Sequence, residues 1–196
     1  MPRVVDHGQR RGEIAEALWR VAAAEGLEAV SLARVAEEAG VSKGRVQHYF
    51  ASRDELLDFA AQQLQLRVDG RVRARMAAAT PSSPLGEVRA LLTALLPLDE
   101  DARTDARVGS AFLIRALGDE RLREIYRRGN RLVHTAVAER LAAARDAGEL
   151  TGLDPAREAT VLLALAGGLA ESVLLGDADG AGALAVLDHQ LGRLRP

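Results

Sequence analysis

The stretch "SLARVAEEAGVSKGRVQHYF", residues 31–50, decides the fold. Ser31 has the side chain of a helix N-cap, and Leu32, Val35, Ala36 and Ala39 after it recur at helical spacing. Gly40 ends that short helix. Ser42 caps another, which runs to about His48 or Tyr49. Two short helices about one glycine form a helix-turn-helix pattern. Such a pair needs small and aliphatic residues where the helices cross, and Ala36, Ala39, Val41 and Val46 supply them. It needs a residue that tolerates an unusual backbone at the turn, and Gly40 does. Its second helix must offer donors outward, and Ser42, Lys43, Arg45, Gln47 and His48 offer them.

Outward from this stretch almost everything reads as helix, and the period-two alternation of strands is absent. Upstream, Ile14, Ala17, Leu18, Val21 and Ala22 share one helix face that stops at Gly26. Downstream, Ser52 and Glu55 make a capping box that opens a long helix carrying Leu56, Leu57, Phe59, Ala60 and Leu64. Thr80-Pro81-Ser82-Ser83-Pro84 is the clearest break. Beyond it the pattern predicts about five helices: 84–96, 104–117, 119–147, 155–175 and 181–193. The expected fold class is therefore all-α. A three-helix helix-turn-helix DNA-binding domain (1–52) is followed by a C-terminal helical bundle that dimerises (53–196), the long helix from about 53 linking them.

Bulk composition narrows the function. The 196 residues carry a net charge of −2, so nucleic-acid binding has to come from a local patch. Residues 42–53 are that patch: Lys43, Arg45, Arg53 and His48, with no acid. There is no cysteine, and His7, His48, His134 and His189 are scattered, which speaks against a disulfide framework, a thiol nucleophile or a zinc site. Neither a phosphate-binding glycine loop nor a G-x-S-x-G elbow is present. We expect no enzyme activity, no cofactor and no metal. The N-terminus lacks a signal-peptide pattern, and the apolar run Val161–Leu175 is shorter than the ~20 residues a membrane span needs. The expectation is a cytoplasmic protein with no membrane partner.

On the second short helix, Arg45 can fork onto guanine and Gln47 can pair with adenine. Lys43 and Ser42 suit phosphates, which position a protein without reading sequence. Ser31 and Arg53 stand at helix starts that also favour a phosphate. The plain alternative is two amphipathic helices with a solvated basic face. The concentration of basic groups in residues 42–53, after a segment carrying Glu25, Glu28, Glu37 and Glu38, favours DNA.

At these residues the chain resembles the TetR family of transcriptional regulators. Gly26, Ser31, Val35-Ala36, Ala39-Gly40-Val41-Ser42, Lys43-Gly44, Phe50, and Arg53 with Leu56 match the family's N-terminal signature over about residues 10–60. Gln47 stands where the family usually has a phosphate-contacting Tyr, and Tyr49 where His is common. The resemblance implies a homodimer on a two-fold double-stranded DNA operator, with recognition helices in successive major grooves. It also implies a small-molecule effector that binds the C-terminal domain and releases the operator. The DNA-contact candidates are Ser31, Ser42, Lys43, Gly44, Arg45, Gln47, His48, Tyr49 and Arg53. The C-terminal half more distantly resembles the BetI-like and AmtR-like branch.

The helix at 155–175 is apolar nearly all round, which implies burial on every side. Leu184, Leu187 and Leu191 follow at near-heptad spacing. A seam from these two helices in each subunit fits both facts, with Leu162, Ala166, Leu169, Val173, Leu184, Leu187 and Leu191 at the interface; a monomeric core is the other way to bury them. A pocket of the family type makes Leu95, Phe112, Arg115, Tyr126, Gly129, His134 and Glu171 effector-site candidates, against ordinary core or surface roles for each. Glu171 is the one charge inside the apolar run. It faces water, pairs across the dimer or binds a cationic ligand. A DNA-binding regulator with no small-molecule effector, controlled by a protein partner, is the alternative; an all-helical enzyme with a chance N-terminal motif is the third.

Overall fold

A computed structural model describes residues 7–196. Among the described residues there are nine α-helices and no strand. They are α1 (His7–Glu25), α2 (Leu32–Glu38), α3 (Lys43–Tyr49), α4 (Arg53–Ala79), α5 (Pro84–Leu95), α6 (Glu100–Ala116), α7 (Glu120–Asp146), α8 (Pro155–Leu175) and α9 (Gly180–Gly192). A single 3-10 turn, Leu27–Ala29, joins α1 to α2.

The sequence signals act through local hydrogen bonds. Ser31 Oγ accepts from Arg34 N at 3.1 Å and Ser42 Oγ from Arg45 N at 3.2 Å, so each short helix has a donor of its first turn satisfied. Ser52 Oγ accepts from Glu55 N, and Glu55 reaches back to Ala51 N at 2.9 Å. Gly40 takes φ 66° in the left-handed region and lets Val41 N return to Ala36 O at 3.0 Å, which closes α2 and turns the chain into α3. Further on, Ser83 and Asp154 cap α5 and α8, each with proline as the next residue. α6 starts at Glu100, four residues before the expected start, because Asp99 caps it by accepting from Ala102 N at 2.8 Å.

The chain packs as two units. One runs to Arg67 and takes in Arg107–Tyr126; the other is Val68–Ala106 with Arg127–Pro196. α4, α6 and α7 each contribute to both.

In the first unit Leu18, Val35, Val46, Phe50, Leu56 and Leu57 are fully buried. Trp19 Nε1 donates to Ala60 O at 3.2 Å. Arg11 lies over the rings of Phe50 and Phe59, at 4.6 and 4.5 Å from their centroids, and reaches Glu55 at 3.3 Å. The 107–126 segment is tied to α4 by Arg115–Asp54 at 3.2 Å, Arg121–Asp58 at 3.5 Å and Gln65 Nε2 to Ile125 O at 3.0 Å. Burial pushes the Asp58 carboxyl up, with the Arg121 guanidinium opposing it.

The second unit has its core between α5, the later turns of α7, α8 and α9: Val88, Leu92, Leu96, Val137, Leu141, Leu162, Ala166 and Leu187. Arg89 of α5 grips Asp188 of α9 at 2.5 and 2.8 Å. By length and composition alone α8, with 21 residues, is apolar enough to cross a membrane, which the shorter run Val161–Leu175 was not. Its inner face belongs to the core just described.

Candidate nucleic-acid interface

Buried Val46 and Phe50 hold α3 in place from within, and Ser42 fixes its first turn. Lys43, Gly44, Arg45, Gln47 and His48 are exposed around the remaining circumference, and Tyr49 is half-buried. Lys43 and Arg45 make no ion pair with any described residue. Their charges are therefore unspent, unlike those around them. Arg34 is tied to Glu25 at 2.7 Å and to Glu38 at 3.2 Å, and Arg20 to Glu38 at 2.9 Å. The Glu25 hydrogen bond raises the Arg34 pKa, and Arg20 holds the Glu38 carboxyl below its usual range. Glu25 and Glu38 are occupied in this way on side chains that brace the turn.

Arg53 goes inward. Its Nε donates to Val30 O at 2.6 Å and an Nη to Leu27 O at 2.9 Å, holding the chain after the 3-10 turn. The bare sequence holds no signal for this, since the carbonyls are 23 and 26 residues away. Ser31 is exposed; its Oγ already accepts from Arg34, which leaves the hydroxyl proton available to a phosphate. His7 was not among the expected contacts. Its ring lies 4.7 Å from Tyr49 and 6.3 Å from His48.

The effector candidates fall in both units. Within the first, Phe112 is fully buried, Arg115 pairs with Asp54, and Tyr126 donates its hydroxyl to Gly109 O at 2.6 Å while burial pushes its pKa up. Within the second, Leu95 and Gly129 are half-buried, His134 Nε2 sits 3.0 Å from Ala156 O and 3.1 Å from Thr160 Oγ1, and Glu171 is exposed. The groove of the second unit is elsewhere. About 550 Å³ in volume, it is lined by Arg75, Thr80, Arg89, Thr93 and Asp99 among others. Arg75 is tied there to Asp99 and donates to Ala94 O and Leu96 O.

The expected seam residues are mostly spent inside the subunit. Leu162, Ala166, Leu169, Val173, Leu187 and Leu191 are buried in its own core, and Leu184 is half-buried. The face of α8 left open is another one. It carries Val161, 50% exposed, Ala164, Gly167, Gly168, Glu171 and Leu175, 70% exposed. On α9, Val186 is open as well.

A capped, exposed basic helix braced behind a glycine turn defines a helix-turn-helix DNA-binding protein. Comparison with known families gives the group. Residues 14–59 match "Bacterial regulatory proteins, tetR family", and residues 84–196 match "BetI-type transcriptional repressor, C-terminal". The chain belongs to the TetR family of transcriptional regulators. It is similar to the transcriptional regulator PksA of Bacillus subtilis, 38% identical over 112 residues. That match covers 57% of this chain, which spans 54%, about half, of the relative's length. A transcriptional regulator from Rhodococcus sp. Rha1 is 33% identical, with a TM-score of 0.81 over 94% of this chain and 95% of that one. A regulator from Saccharomonospora viridis, solved in complex with choline, shares the fold at 22% identity, with a TM-score of 0.85 over 93% of this chain and 95% of that one.

Proposed function

We propose that this protein is a cytoplasmic repressor that binds a two-fold operator as a homodimer and releases it when a small molecule occupies its C-terminal half. The observation that carries this reading is α3, where two unpaired cations, an amide and an imidazole share the exposed surface of one short, rigidly capped helix. Arg45 and Gln47 read base edges in the major groove; Lys43, Ser42 and Ser31 hold phosphates. Gly44 keeps the start of α3 bare, with open space where a Cβ would stand, so the backbone can come close to DNA. Arg53 serves the interface at one remove, by fixing the turn after α1.

The dimer forms on the open face of α8. Val161, Ala164, Gly167, Gly168 and Leu175 give it an apolar surface with small residues that allow close approach, and Val186 extends the surface on α9. Two heads in one dimer read two half-sites about 34–36 Å apart, one turn of DNA.

The effector is held by aliphatic surface and a few polar groups. A quaternary ammonium such as choline is held best by a cage of aromatic faces. Residues 84–196 contain two aromatic side chains, Phe112 and Tyr126, one fully buried and the other with its hydroxyl committed to Gly109. Control by a protein partner, with no small-molecule effector, is the second reading. It is favoured by the groove of the second unit, whose two arginines are both already paired with acids.

Fluorescence anisotropy of the purified protein on the DNA upstream of its own gene, against unrelated DNA at two salt concentrations, tests the reading. Saturable binding to the upstream DNA that outlasts the salt increase is expected. No binding to either DNA at low salt would overturn it.

A further inference from the structure

His7 opens α1, upstream of the 14–59 stretch that matches the family. Its exposed ring closes a three-ring cluster with two residues of the recognition helix. The centroids of His7 and Tyr49 are 4.7 Å apart, those of His48 and Tyr49 are 5.1 Å apart, and those of His7 and His48 are 6.3 Å apart. The planes are tilted at 59°, 78° and 61°, so the rings meet edge to face. An exposed cluster of this kind buries little area and adds little to the core. It does restrict rotamers: Tyr49, the last residue of α3, is held from a different helix.

We infer that His7 is a positioning residue of the DNA-reading surface: its imidazole holds Tyr49 and His48 in their reading posture. This inference rests on the DNA-reading role given to α3 above. Arg10, Glu13, Glu16 and Arg20 of α1 and Arg45 of α3 line the same small groove as Tyr49. Arg10 is paired with Glu13, and Arg20 with Glu38.

The test is operator binding by anisotropy, for the full chain and for His7→Ala and His7→Phe. His7→Ala is expected to bind about three- to ten-fold more weakly, the scale of an edge-to-face ring contact. His7→Phe should recover most of that loss, since the ring returns. Circular dichroism melts establish that each variant keeps its helices. His7→Ala binding as wild type, or His7→Phe no better than His7→Ala, would overturn the positioning role. If wild type binds no DNA specifically, the DNA-reading role itself fails, and this inference with it.

Discussion

Lys43 and Arg45 are two residues apart on one helix, yet their removal should have opposite signatures. Both are exposed and neither is paired with a described residue, so truncation strands no partner and the loss reports the DNA contact alone. Arg45 can fork onto a guanine, and a good bidentate contact discriminates by about 1–3 kcal/mol against the wrong base. Arg45→Ala should therefore weaken the operator about five- to 150-fold per half-site, and substitutions at its base pair should then cost the variant nothing. The role proposed for Lys43 is to neutralise a phosphate, and each such contact contributes about 0.9 to the slope of log affinity against log salt. Between about 50 and 200 mM salt, losing one contact per subunit removes roughly a 3.5-fold salt effect per half-site, or about 12-fold for a dimer. Lys43→Ala should weaken all sequences alike and flatten the salt slope. The assay is anisotropy competition with single-base operator variants at four salt concentrations. Specificity lost in Lys43→Ala and kept in Arg45→Ala would refute the assignment of roles.

Three further outcomes follow from the structure. Val161→Glu puts a charge on the open face of α8, and sedimentation should find a folded monomer; Leu187→Glu, by contrast, buries a charge in the subunit's own core and should unfold it. Millimolar choline should leave the operator complex intact, as isothermal titration and anisotropy would both register. The hydrogen bond from Arg89 holds the Asp188 carboxyl below its usual range, so the pair contributes stability above the ordinary Asp pKa of about 4 and loses it as the pH falls through the lowered value. Asp188→Asn should therefore melt lower than wild type at neutral pH, with the difference closing as the solution is acidified.

The helix-turn-helix was legible because its instructions are local. Ser31 and Ser42 bond within their own first turns, and Gly40 carries the left-handed turn by itself. The same is true of Ser83-Pro84 and Asp154-Pro155. The start of α6 was missed because an acidic run after Pro97 reads as loop unless Asp99 is recognised as a cap. α8 shows a different limit. Apolar residues surround it, so periodicity does not distinguish the face that meets α5 and α9 from the face left open. The expected seam residues, Leu162 and Leu169 among them, lie on the inner face, and Val161 and Leu175 lie on the outer one. On α3, the exposed donors could be named from sequence. The inward turn of Arg53 and the arrival of His7 beside Tyr49 could not, since both join residues more than twenty positions apart.

Selection of bound sequences from a random double-stranded library tests the central claim most directly. A two-fold repressor that reads DNA with α3 should enrich an inverted repeat with half-sites one helical turn apart, and Arg45→Ala should lose enrichment at one position in each half. Enrichment of no sequence, or of a single site without two-fold symmetry, would contradict it.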